Sequence, residues 1–118
     1  MIAPAPLLVG LGGALGAALR YGVGEALEGV DTPFSAATLA VNALGTFALG
    51  LLTVAGAGDD VVLLLGTGSC GAFTTFSSFS VETVRAWEAG DRAVAVGYAV
   101  GTLVLAGLAL AAAWLLVG

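Results

Sequence analysis

The chain has 118 residues, of which 59% are hydrophobic, and its eight acidic residues and three arginines give a net charge of −5. A soluble domain carries about a quarter charged residues, so a charged fraction of 9% excludes an ordinary soluble globule, a disordered tail and a basic nucleic-acid binder. Without histidine and with Cys70 as the only cysteine, a Ser-His-Asp triad, a histidine metal site and an intrachain disulfide are excluded as well.

The charged residues leave four uncharged stretches, 1–19, 32–58, 61–81 and 93–118. Each is near or above the ~20 residues that cross a ~30 Å hydrocarbon core. Lipid permits only helices or a closed barrel to span it, and four segments without strict alternation cannot close a barrel. The expectation is an all-α membrane protein, one four-helix domain over 1–118, with helices at about 4–24, 33–56, 61–88 and 92–117. Taking the four uncharged stretches as the spans, no carboxylate falls inside one. Pro4 and Pro6 suit the start of the first helix, and Pro33 the first turn of the second. No arginine or lysine precedes the first stretch, so it does not read as a signal peptide.

The three arginines lie at or near the first and third connections, a faint orientation signal. Insertion in both orientations fits it, and so does a chain whose bias is merely small. The acidic, lysine-free loops fit either a salt-loving source or ordinary acidic helix caps.

In the first helix Gly12 and Gly16 form a G-x-x-x-G, which suits close helix packing within the chain or between two chains. Arg20 ends that uncharged stretch, where it would cap helix carbonyls or attract anions to a vestibule. In the second helix Thr38, Asn42 and Thr46 recur every four residues and share a face. A lone Asn would be interhelical glue, whereas a stripe of three points to a lined path.

The third helix carries Gly66, Gly68 and Gly71, then five hydroxyls between Thr74 and Ser80, with Phe76 and Phe79 among them. This composition weakens a helix at mid-membrane and predicts a break near 70–74. Freed backbone groups at that depth are tolerated only beside protein or a watery cavity. Phe76 and Phe79 share a helical face, and their positive ring edges suit an anion. In the fourth helix Tyr98 and Thr102 are again four apart, and Gly97 and Gly101 form a second small-residue pair. Trp87 and Trp114 read as interfacial anchors. The inferred path is neutral, rich in donors and edged by aromatic rings.

These residues resemble a known family. Gly12-Gly13 with Gly16 and Arg20-Tyr21, then Thr38-Leu39, Val41-Asn42 and Gly45, then Gly68 and Gly71 through Phe73-Thr74-Thr75-Phe76-Ser77-Ser78-Phe79, are similar to the Fluc-type fluoride channels, the CrcB family. The similarity covers essentially the whole chain. It implies an antiparallel, dual-topology homodimer, or a pair with a paralogous chain, with two pores lined by both subunits. It assigns Phe76 and Phe79 to an aromatic box, Asn42 to a pore amide, and Tyr98 and Thr102 to a polar track. Ala106 stands where family members carry a further hydroxyl, and Ser78 where many carry threonine. Thr38, Thr75 and Ser77 join the expected ion pathway. Gly71 and Thr74 would hold a structural sodium ion through backbone carbonyls. The implied activity is passive fluoride efflux across the plasma membrane, without catalysis. The rival reading is a small four-helix proton-coupled multidrug exporter, which needs a carboxylate in the membrane; a non-transporting assembly subunit is a third. A membrane protease lacks its histidine, and Ser69 has no base.

Overall fold

The computed structural model describes residues 4–32 and 34–118. Four helical spans are long and apolar enough to cross a membrane, and the described residues contain no strand. Helix α1 is Ala5–Ala26 and α2 is Ala36–Val54. The third span, Asp59–Glu88, has two parts. Its first part, α3 (59–73), is α-helical over Asp59–Val61, π-helical over Val62–Cys70 and α-helical over Gly71–Phe73. Its second part, α4, is Phe76–Glu88, and α5 is Arg92–Val117.

Local chemistry accounts for most of these bounds. Pro4 is the N-cap residue of α1 and Pro6 lies in its first turn, where a missing N–H is harmless. Pro33 lies outside the described residues; α2 begins three residues later, where the Ser35 hydroxyl accepts from the Thr38 amide at 3.2 Å. Gly56 and Gly90, at φ +70° and +89°, occupy the left-handed region that terminates α2 and α4. The α1 helix ends at Ala26, so Arg20 stands more than a turn inside it, and no basic residue occupies the last turn.

The α1 helix packs against α3, whereas α2 and α4 pack against α5. A methyl on Gly12 would strike the Leu64 carbonyl, one on Gly16 the Ser69 backbone, and one on Gly68 the Val9 carbonyl and Gly12. The glycines of α1 and α3 therefore allow two backbones within one chain to touch. Gly97 and Gly101 have open space beside them. The core is thin, with Val41, Cys70, Ala95, Tyr98 and Ala113 as its buried members, while Leu103, Leu115 and Leu116 are largely exposed. Such an exterior suits lipid rather than water.

Candidate functional site

The site forms where the third span leaves helical geometry. Thr74 (φ −81°, ψ 162°) and Thr75 (φ −149°, ψ 113°) are extended, between Phe73 and Phe76. The sequence reading put the interruption near 70–74, but Gly71–Phe73 stay helical and the extended pair sits just beyond. Glycine propensity does not set the position. Gly45 leaves room for the Thr74 methyl, which a Cβ at position 45 would overlap. Opposite it, Asn42 meets Thr75 as a second strand would. Its Nδ2 donates to the Thr75 carbonyl at 3.0 Å, and its Oδ1 accepts from the Thr75 amide at 2.7 Å. The Thr75 hydroxyl then caps α4 by accepting from the Ser78 amide at 3.1 Å.

This rerouting has a direct consequence for two carbonyls. In a continuous α-helix the Thr75 amide would serve the Gly71 carbonyl, and the Ser78 amide the Thr74 carbonyl. Both amides go instead to side chains, Asn42 and Thr75.

A cavity of about 690 Å³ borders the extended pair, lined by Asn42, Thr75, Phe76, Phe79, Thr102 and Ala106 among others. Ring contacts run beside it: Phe76 to Phe79 at 6.0 Å, Phe79 to Tyr98 at 5.3 Å, and Tyr98 stacked on Phe34 at 5.9 Å. The Thr102 hydroxyl on this cavity is buried without a hydrogen-bond partner among the described residues, whereas the Tyr98 hydroxyl is set against Thr38, outside the lining. Buried hydroxyls seldom stay unpaired, so the Thr102 hydroxyl is available to a ligand. The cavity lining carries no charged side chain. It can offer hydrogen-bond donors and ring edges to a small anion without the strong hold of an arginine.

The other predicted residues are distributed differently. Gly71 and Thr74 line the same cavity. Thr46 lines it too, but its hydroxyl donates to the Asn42 carbonyl at 2.7 Å in its own helix. Phe76 is 80% exposed, at the rim. Ser77 is exposed and outside the lining, as is Arg20 on α1. Thr38 is buried one turn beyond Asn42 and also outside the lining.

One residue was missed. Glu82 lies within the third span, and its Oε1 accepts from the Thr38 hydroxyl at 2.8 Å. The expectation of carboxylate-free spans is corrected, because the third span does not stop where the uncharged stretch ends at 81 but runs on to Glu88. The signal available in sequence was spacing: Glu82 follows Phe79 by three residues and shares its face.

The family model for CrcB-like protein, Camphor Resistance (CrcB), matches residues 7–115. A Halobacterium salinarum protein named fluoride-specific ion channel FluC 1 is 53% identical, with 98% of this chain and 96% of the relative covered. Fluoride-specific ion channels FluC of Paracoccus denitrificans and Thermus thermophilus are each 48% identical, covering 95% and 89% of this chain and 92% and 87% of theirs. Four apolar spans and a match over nearly all of its length place this multi-pass membrane protein in the CrcB family.

Proposed function

We propose that the chain is a fluoride-selective ion channel of the plasma membrane, not an enzyme, and that it lets fluoride leave the cell passively. The observation that carries this reading is the convergence of the Asn42 amide, the Phe76 and Phe79 rings and the unpartnered Thr102 hydroxyl on one uncharged cavity. The fluoride-specific names of relatives at 48–55% identity support the choice of ion. HF crosses a membrane neutral and ionises inside, trapping fluoride. A negative-inside potential then drives the ion out through any selective path. Fluoride is small and strongly hydrated, so close donors must replace its water. Chloride is larger and a weaker hydrogen-bond acceptor, which disfavours it at the same donors.

The working unit in this reading is an antiparallel dimer, of two identical chains or of this chain with a paralogue. Its third span acts as a broken helix at bilayer depth. The exposure of Phe76 and the thin core of a single chain support a partner that completes the path. So does an apolar groove of about 420 Å³ between α1, α2 and α3, bordered by Leu15, Leu44, Leu65 and Phe73. Asn42, Thr75, Phe76, Phe79, Tyr98 and Thr102 form the path; Thr38 and Ser77 flank it, and Arg20 has a vestibule or structural role.

Gly71 and Thr74 are the proposed holders of a structural sodium ion. Their carbonyls fit it because the amides that would satisfy them are bonded elsewhere, and neutral oxygens suit a hard cation. When bound, the ion would balance carbonyl dipoles at the centre of the dimer. The test of function is fluoride efflux from liposomes, measured beside chloride. Selective fluoride release is expected, and equal rates for both ions, or none for either, would refute the reading.

A further inference from the structure

Three helices contribute two successive layers at one end of the bundle. The inner layer holds Asn42 of α2, Phe79 of α4 and Thr102 of α5, all on the cavity. One turn outward, toward the start of α2, the end of α4 and the start of α5, stand Thr38, Glu82 and Tyr98. Contacts tie the layers together: Thr38 bonds Glu82 at 2.8 Å, and Tyr98 lies 5.3 Å from Phe79.

The hydrogen bonding of the outer layer has a definite polarity. Thr38 accepts from the Ser35 hydroxyl at 3.0 Å and donates its single hydroxyl proton to Glu82. It therefore has no proton left for a passing anion. The Tyr98 hydroxyl stands against Thr38 in the same layer. Glu82 is half-buried. Arg85 on the same helix is exposed, and the Arg92 guanidinium lies 4.8 Å over the Trp87 ring.

We propose that Glu82 is a rate-setting residue of the channel, a fixed negative charge that opposes anion passage at this end of the path. The inference rests on a path between α2, α4 and α5. An anion moving along the rings past Phe79 toward this end meets the carboxylate before it reaches bulk water. Removing one unit charge about one helical turn (~5 Å) from the inner layer, in a medium screened nearly as well as water, should raise flux about threefold to tenfold.

The test uses full-length protein in phosphatidylcholine vesicles, with fluoride efflux measured at low fluoride and varied ionic strength set by impermeant salt. Glu82→Gln keeps the shape and removes the charge. Its flux should exceed that of the unaltered protein several-fold at ~0.01 M salt, and the excess should shrink, without vanishing for a half-buried charge, toward ~1 M, where the screening length falls from ~30 Å to ~3 Å. Thr38→Val keeps the charge and should retain the salt response of the unaltered protein, which a merely structural role for the Thr38–Glu82 bond would not give. Equal flux of Glu82→Gln and the unaltered protein at low salt would overturn the proposal, as would slower flux from a folded Glu82→Gln protein. Glu82→Asp covers a Gln variant that fails to fold: a salt response unlike that of the unaltered protein overturns the proposal. An unaltered protein that passes no fluoride would instead refute the channel reading itself.

Discussion

Replacing Asn42 by alanine removes two hydrogen bonds, at 3.0 and 2.7 Å, that hold the Thr75 backbone extended. Each is worth about 1 kcal/mol net, and an abandoned buried partner adds about 1–3 kcal/mol. Polar contacts inside membranes average nearer 0.6 kcal/mol. Thr75 is half-buried beside the cavity, so water offers some replacement and the lower part of the range applies. A local loss of about 2 kcal/mol should speed amide exchange at Thr75 about thirtyfold. Fluoride efflux should fall, because α4 and its two rings lose their anchor on α2. Asn42→Asp separates anchoring from charge. It keeps the acceptor for the Thr75 amide, yet turns a carboxylate toward the Thr75 carbonyl and the cavity. Efflux through Asn42→Asp should be lower still than through Asn42→Ala, despite the closer match in shape. Unchanged Thr75 exchange together with unchanged efflux in Asn42→Ala would refute the anchoring argument. Equal efflux from the two variants would refute the electrostatic part.

Thr75→Ala removes the cap on the Ser78 amide and should lower thermal stability by about 1 kcal/mol, with Thr75→Ser restoring it. Gly12→Val or Gly68→Val should abolish folded protein on size-exclusion chromatography, because each side chain would enter a neighbouring backbone; Gly97→Ala, facing open space, should leave the chain folded. Phe79→Leu keeps bulk but loses the ring edge, so fluoride efflux should fall about five- to tenfold, equivalent to roughly 1–1.5 kcal/mol, while the dimer survives crosslinking. Replacing sodium by a bulky organic cation should weaken the proposed dimer, read as a shift toward monomer on size-exclusion chromatography.

The four spans were legible because lipid constrains them so strongly: uncharged length alone separates helices from loops. The stripe on α2 and the rings of the third span were legible as faces, since helical spacing fixes which residues share a side. The sequence was less informative about which glycines do what. Gly66, Gly68 and Gly71 read as helix breakers, yet Gly68 lets α3 lie on α1, and Gly71 is helical. Gly45 makes room for Thr74 from a different helix, a relation across nearly thirty residues that no local pattern encodes. Glu82 was hidden for a related reason. Reading charged residues as span limits places the boundary before it, whereas a hydroxyl from α2 satisfies the carboxylate inside the helix.

The extended pair and the proposed anion path have one physical origin. Bending a helix inside a bilayer exposes amides and carbonyls that lipid cannot satisfy, so the chain must supply substitutes from side chains. Asn42 and the Thr75 hydroxyl do so for the Thr75 and Ser78 amides and for the Thr75 carbonyl. The carbonyls of Gly71 and Thr74 lose their helical donors in the same exchange. The Asn42 amide has a second Nδ2 hydrogen beyond the one given to Thr75, and this remains for the cavity. A break sealed by a carboxylate or an arginine would have placed a full charge there, to repel the anion or to trap it. Sealing it with a neutral amide and a hydroxyl leaves donors whose individual bonds are modest, which is what throughput requires. The carboxylate stands one layer further out at Glu82, bonded to Thr38, where, on that proposal, it bears on the rate of passage rather than on the binding of the ion.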